Sequence, residues 1–313
     1  VDKLDHFKRT RGLCDDNTDK NTVDDFITDW LKNAKSARLK PTSYDRLEST
    51  INHSIIPAIG YHKLSELTTQ QIQEDLINDM INKQLSYSSI KKSHNAINAC
   101  YKYAISTRKL TFNPVSAVEM PSSKQFEREP AHWFNDEEIQ RFKQVCTFQY
   151  KNGKYRYALG YGMIFILNTG VRIGEALALT WKDVNFKEMT LTVNKNVVMA
   201  VNRKSESKSR VLTNQPTLKT KKSSRCIPLN GNAISALNQI KETRYFGENS
   251  CILSTEFGEQ NKPGNFLRTF EAIVKRAGIE KCGVHTLRHT FASQLFAHGK
   301  SVKEVSELLG HED

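Results

Sequence analysis

Four short stretches in the second half of the chain carry side chains that helix and strand formation do not require. The first is Thr169-Gly170-Val171-Arg172-Ile173-Gly174-Glu175. Glycine there permits a tight turn into a new helix, a helix N-terminus attracts an anion, and an arginine beside it adds a planar fork of donors. The competing reading is a plain ion pair between Arg172 and Glu175, one turn on. The second is Lys219-Thr220-Lys221-Lys222, directly before a strand-like run from Arg225 to Leu229. Lysines in a turn are usually solvated, yet one at a hairpin tip could protonate a leaving oxygen as general acid. The third is Val284-His285-Thr286-Leu287-Arg288-His289. Spacings of three and four put 285, 288 and 289 on one helical face, where three cationic or titratable groups repel unless an anion lies between them. A surface helix with neutral histidines is the bland alternative. A sharper one is zinc, with Cys282, His285 and His289 as ligands, although no fourth ligand is evident and Arg288 would adjoin the cation. The fourth is Leu308-Leu309-Gly310-His311, where Gly310 can break a helix and expose His311. A histidine there could also simply favour the negative end of the helix.

Two arginines, a lysine and two or three histidines on separate elements suit a pentavalent phosphorane, whose charge is spread over oxygens that guanidinium forks can hold. No nucleotide-binding glycine loop accompanies them, and no carboxylate cluster of the kind a magnesium nuclease uses stands out. The donor set therefore points to metal-free phosphoryl transfer on a DNA backbone, with no cofactor. The net charge of +12 and pI of about 9.3 agree, since such an excess calls for a polyanionic partner.

The elements that must position these groups fall into two domains, as 313 residues suggest. With 38% hydrophobic and 26% charged residues, the chain is globular rather than disordered. Residues 1–20 are polar and read as an N-terminal arm or linker. Residues 21–113 read as an all-α unit with four helical patterns. Thr22 caps the first, and Pro41 opens the second at its first turn. Residues 69–83 and 88–108 repeat the apolar spacing of three and four. Lys91, Lys92, Lys102, Arg108 and Lys109 lie on or just after the last of these and are candidate DNA-binding residues. Pro114, Pro121 and Pro130 bracket an interdomain linker at 114–131. The second domain, 132–313, opens with a helix capped by Asp136 and a buried helix ended by Gly170. Then comes a small antiparallel sheet with an inserted hairpin around 190–229, where Asn202 to Pro216 reads as a polar hairpin or loop. Helices follow at Ala233–Arg244, Phe266–Ala277 and His285–Ala297. Ser301 and Glu304 form a capping box for a last helix expected to bury Val302, Val305 and Leu308.

Six cysteines without a CxxC pair or regular spacing read as reduced thiols of a cytosolic protein. The longest apolar run is too short to span a bilayer, and no secretory signal is visible. A chain that begins at Val1 rather than Met is expected to start inside a longer protein.

TGVRIGEALAL, KTKKSSRCIPL, HTLRHTFAS and LLGH resemble, in order, the motifs of tyrosine recombinases, and the nearest flavour is that of phage and conjugative-transposon integrases. The resemblance covers about residues 22–313. It implies a mainly α fold with a small antiparallel sheet, in which an all-α core-binding domain and an α+β catalytic domain form a C-shaped clamp on DNA. By the same resemblance, Arg172 and Arg288 grip the nonbridging oxygens of a scissile phosphate and His285 assists proton transfer. Lys219 protonates the 5′-oxygen, with Lys221 a close rival, and His311 hydrogen-bonds the phosphate. Glu175 supports the pocket, and His289 supports the fold. The implied activity is site-specific recombination of a mobile element through a 3′-phosphotyrosine. The implied partners are a double-stranded DNA recombination site and further copies of the chain, dimer to tetramer, with no membrane. The implied place is the bacterial cytoplasm at the nucleoid. Such families place the nucleophilic tyrosine a helix turn or more past the LGH motif, whereas this chain ends at Asp313, so a chain without its nucleophile and unable to cleave alone is expected. A non-catalytic DNA-binding regulator, a type IB-like topoisomerase and a zinc enzyme are the rival readings.

Overall fold

In a computed structural model the described residues are 22–126, 132–203, 209–216 and 224–310. The N-terminal arm and the candidates Lys219, Lys221 and His311 lie outside them. The chain divides into two compact units, Val1–Glu129 and Pro130–Asp313.

The described part of the first unit is mainly helical. Helix α1 (Val23–Asp29) starts where the Thr22 hydroxyl accepts a hydrogen bond from the Asp25 N–H. Helix α2 (Pro41–Thr50) continues through a wide turn, Ile51–Ile55, into α3 (Ile56–Ile59). In that wide turn the Ile56 N–H bonds to the Ile51 carbonyl, a spacing of five that lets the chain pass Pro57, which has no N–H to give. The expected helix at 69–83 appears as α4 (Thr69–Gln71), a second wide turn (Ile72–Asn78) and α5 (Asp79–Asn82), opened by a capping box between Thr68 and Gln71. Helix α6 (Tyr87–Ser106) closes the set. Trp30, Ile51, Ile55, Leu76, Ile97 and Tyr101 form its buried core.

The stretch after α6 corrects one expectation. Residues 114–126 are not a free linker but a strap on this unit. Val115 is fully buried in the helical core, the Thr69 hydroxyl donates to the Pro114 carbonyl at 2.7 Å, and the Glu119 N–H donates to Gln73 at 2.9 Å. The prolines forbid a long helix without forbidding packing, and Pro114–Ala117 makes a single 3-10 turn.

The second unit is built around α8 (Gly160–Thr169), which is apolar on nearly every side and is buried accordingly. It packs against α10 (Gly231–Arg244), α12 (His285–Ala297) and α7 (Asp136–Cys146). The cap of α7 is Asn135, not Asp136: its side chain accepts from the Glu138 N–H at 2.9 Å, and the Glu138 carboxylate accepts in return from the Asn135 N–H. Short helix α9 (Ile173–Ala178) follows α8, and α11 (Pro263–Arg276) lies further along.

Between α9 and α10 stand two antiparallel sheets where one was expected. Strands β1 (Val184–Asn185), β2 (Thr190–Val193) and β5 (Arg225–Pro228) form one, in the order β1-β2-β5. Strands β3 (Lys195–Val201) and β4 (Arg210–Pro216) form a separate two-stranded ribbon. Half of the polar run read as hairpin or loop is thus strand. Backbone pairing to β3 needs little apolar alternation when one face of a ribbon is open to water.

The last helix, α13 (Val302–Leu309), has the expected Ser301–Glu304 capping box, but its buried stripe differs. Val305 and Leu309 are buried with Phe291, Leu308 is half-buried, and Val302 is 75% exposed. An i, i+4 pair stays on one face, whereas two successive steps of three drift off it.

Candidate active site

Helix α8 ends at Gly170, whose φ of 63° lies in the left-handed region that favours glycine. A Cβ there would also overlap the side chains of Phe291 and Leu309. The reversal frees the Gly170 carbonyl and sets Arg172 at the N-cap of α9. One turn on, the Glu175 carboxylate accepts from the Arg172 N–H at 2.9 Å and from Arg172 Nη1 at 3.0 Å. The plain ion pair foreseen as the alternative therefore exists, but it is one edge of a larger cluster.

Arg225, at the start of β5, forks onto the same carboxylate, with Nη1–Oε1 at 3.1 Å and Nη2–Oε2 at 2.7 Å. Arg288, in α12, donates from Nη1 to the Gly170 carbonyl and from Nη2 to the Leu309 carbonyl, both at 2.7 Å. Three consecutive carbonyls at the end of α13 each receive one guanidinium. Leu308 takes Arg225 Nε at 2.9 Å, Leu309 takes Arg288, and Gly310 takes Arg172 Nη2 at a longer 3.4 Å. The last carbonyls of a helix lack internal partners and carry its negative end, so the three arginines both cap α13 and are gathered by it.

Charge in this cluster does not balance. Three guanidinium groups surround one carboxylate. Burial works to raise the Glu175 carboxyl, but the hydrogen bonds and charge of Arg225, then the backbone and charge of Arg172, outweigh it and hold it below the ordinary carboxylate range. Burial, then the like charge of Arg172, pushes Arg288 down to about 10, with Glu175 opposing and Arg225 adding to the repulsion. It stays protonated at neutral pH. The helix end offers only about half an elementary charge. An anion bound beside Arg172, which is 39% exposed at its side chain, would relieve the remaining repulsion, while Arg225 at 8% is walled in.

His285 opens α12 and is exposed. Partial burial of its ring, then the charges of His289, Arg288 and Arg172, push its imidazole below the usual value, so the ring is neutral at pH 7 and able to take up a proton. Arg172, Glu175, His285 and Arg288 are thus brought together. His289 is exposed, and its charge is among those that act on His285. Lys219, Lys221 and His311 fall outside the described residues. Among the described residues no three His, Cys, Asp or Glu side chains are grouped to hold a metal ion, so Cys282, His285 and His289 do not form the zinc site considered as an alternative. None of the five described cysteines is in a disulfide. No described helix is long and apolar enough to cross a membrane.

Sequence reasoning missed Arg225. The signal was available: in RCIPL the buried positions alternate, and Arg225 shares the inward face of β5 with Ile227. A cation on the buried face of a strand needs a buried carboxylate partner.

In the first unit Lys91, Lys92, Lys102, Arg108 and Lys109 are all exposed. Lys91 and Lys109 lie over aromatic rings, with Nζ 5.9 Å from the Tyr87 centroid and 4.9 Å from that of Phe26.

Residues 132–313 match the phage integrase family, and residues 22–81 match the family described as phage integrase, N-terminal SAM-like domain. The chain belongs to the phage integrase family. A curated relative of this integrase-family chain is the tyrosine recombinase XerC-like protein of Caldanaerobacter subterraneus subsp. tengcongensis. It is 29% identical over 308 residues, which cover 93% of this chain and 76% of the relative. Among solved structures, the Tn1549 transposon integrase in complex with a circular intermediate DNA superposes with a TM-score of 0.75 at 18% identity, covering 93% of this chain and 92% of that one. The lambda integrase tetramer bound to a Holliday junction gives a TM-score of 0.66 at 20% identity, covering 98% and 78%. Both share the fold of this phage integrase family member: mainly helical, with small antiparallel sheets.

Proposed function

We propose that this chain is the DNA-binding and catalytic core of a site-specific recombinase that integrates or excises a mobile element. The observation that carries the reading is the unbalanced cluster: Arg172 and Arg288, from elements far apart in sequence, are drawn to adjacent carbonyls beside a single carboxylate already claimed by Arg225. A scissile phosphate fits the surplus positive charge. In this reading Arg172 and Arg288 hold its nonbridging oxygens, and Glu175 fixes Arg172. His285, neutral at pH 7, assists proton transfer. Lys219, or its neighbour Lys221, gives a proton to the departing 5′-oxygen, and His311 hydrogen-bonds the phosphate. A tyrosine oxygen attacks phosphorus, the bond to the 5′-oxygen breaks, and a 3′-phosphotyrosine and a free 5′-hydroxyl result. The new ester keeps the energy of the broken one, so rejoining needs no nucleotide triphosphate.

The exposed cations of α6 and the turn after it supply sequence-independent attraction to the backbone, so affinity falls steeply with salt. The partners are a double-stranded recombination site and further copies of the chain on it, up to four. The protein works in the bacterial cytoplasm at the nucleoid. The relatives named as recombinases and integrases, and the fold shared with two integrases solved on DNA, support this reading.

The test uses the protein made from its whole reading frame, with a nicked suicide duplex. Arg172→Ala should lose about 10²–10³-fold in covalent-complex formation, the cost of removing one donor aimed at a developing charge. Its duplex affinity should stay within a few-fold of wild type. Cleavage by the variant at the wild-type rate would remove Arg172 from the mechanism.

A further inference from the structure

We propose that Arg225 is a positioning residue of this pocket, one that sets Arg172 through Glu175 and sets the end of α13 through the Leu308 carbonyl. The inference rests on the recombinase reading above and gives a role to a residue to which that reading assigns no part in the reaction. Arg225 directs three donors at two elements: Nη1 and Nη2 to the two oxygens of Glu175, and Nε to Leu308. Glu175 in turn holds Arg172 by its backbone and by its side chain. Leu308 stands three residues before His311, and Arg225 itself continues directly from the segment that holds Lys219 and Lys221. A single buried guanidinium therefore ties the Glu175 carboxylate to the end of α13.

Its placement argues for positioning rather than contact. At 8% exposure the Arg225 side chain is walled in, whereas Arg172 is open enough to meet a ligand. The carboxylate has two oxygens, and Arg225 takes both, so Arg172 Nη1 approaches Oε1 from the remaining side. Without Arg225 the carboxylate is free to turn wholly toward Arg172 and to drag it off the phosphate. The last helix also loses the only side-chain tie described for Leu308. A Cβ at Gly310, where φ is 65°, would press on the Arg225 side chain at 3.0 Å, so the backbone of the cap is shaped around this arginine.

The closing experiment compares Arg225→Met and Arg225→Lys with wild type in the protein made from its whole reading frame. Single-turnover covalent-complex formation is measured from pH 5.5 to 9 alongside duplex affinity. Lysine keeps a cation beside Glu175 but cannot fork onto it and reach Leu308 together, and it guards against a methionine variant that does not fold. Three charged groups face Glu175: Arg172 beside it, Arg225 from β5 and Arg288 from α12. Losing Arg225 removes the largest influence that holds its carboxyl down while burial persists. The carboxyl then climbs and protonates as pH falls, and Arg172 loses its partner on the acid side. His285 also titrates, facing His289, Arg288 and Arg172, but it does so in wild type and variants alike and cancels in their ratio.

The expected result is duplex affinity within about threefold of wild type, with cleavage down about a hundredfold for methionine and about tenfold for lysine. The methionine-to-wild-type ratio should fall further toward low pH. A wild-type protein that cleaves, with both variants equal to it at every pH, overturns the inference and leaves the recombinase reading intact. A loss of cleavage that matches the loss of folded protein, flat with pH and equal for lysine and methionine, also overturns it and marks Arg225 as a structural tie only. A wild-type protein that forms no covalent complex overturns the recombinase reading itself, and the positioning role with it.

Discussion

The two units hold their cations in opposite ways. On α6 and the turn after it, Lys91, Lys92, Lys102, Arg108 and Lys109 stand in solvent on the outside of a core they do not enter. In the second unit Arg225 and Arg288 are buried, and with Arg172 they are fixed by a carboxylate and four backbone carbonyls. Exposed lysines on flexible stems cost the fold almost nothing and attract a backbone at long range. Fixed guanidinium groups cost desolvation and ordering, and only such groups are placed well enough to act on one phosphate. The lesson is that charge alone does not mark a reaction centre, whereas charge that the fold pins in place does.

The sharpest way to break the contrast is to remove the pin. Glu175→Ala leaves Arg225 buried without its partner, which should cost about 3–5 kcal/mol, or on the order of 10 °C in the melting temperature of the second unit. Lys102→Ala in the first unit should fall within about 0.5 kcal/mol of wild type. Equal melting temperatures for the two variants would erase the distinction. The pH dependence has a definite sign. Glu175 is held below its unfolded value, so its contribution is complete above the ordinary carboxylate range and is lost as pH falls through the depressed folded value. Acid unfolding should therefore show a low-pH loss in wild type that Glu175→Gln lacks; parallel acid profiles would contradict the coupling.

The next effect lies in affinity. Replacing Lys91, Lys92 and Lys102 by alanine should lower the slope of log affinity against log salt by about one for each backbone phosphate no longer neutralised. Cleavage at saturating DNA should be unchanged. A variant with the wild-type slope would take α6 out of the interface. The smallest effect is at Arg108, which sits at φ 57° just after α6, where its N–H bonds the Ile105 carbonyl and the following N–H bonds the Ala104 carbonyl. Glycine is the residue that this left-handed closing position favours. Arg108→Gly should raise the stability of the first unit by about 0.5–1 kcal/mol while weakening duplex binding. A loss of stability would mean that the arginine side chain itself holds the turn.

What was legible in the sequence follows the same division. The periodic helix α6, the apolar run of α8, and caps such as Thr22 and Ser301 declare themselves through local chemistry. So do Arg172, Glu175, His285 and Arg288, because arginine and histidine in those turns serve no apolar face. Arg225 escaped because its partner is 50 residues away, and strand alternation is a weak signal over four residues. The strap at 114–126 escaped because prolines speak about helix and not about burial. Strand β4 was left open between hairpin and loop, because an open ribbon is held by backbone bonds that any polar residue can make. The buried stripe of α13 was misplaced by one step, since what decides it is Gly170 and Phe291 across the fold.

The central claim is that Arg172 and Arg288 act on one phosphate. Its most direct test is to bind this chain and its Arg172→Ala and Arg288→Ala variants to duplexes in which a single phosphate at a time is replaced by a neutral methylphosphonate. Wild type should lose a few-fold to about tenfold in affinity at one position, and each variant should lose much of that sensitivity at the same position and no other. If the two variants become insensitive at different phosphates, or at none, the guanidinium groups do not share a ligand and the account fails.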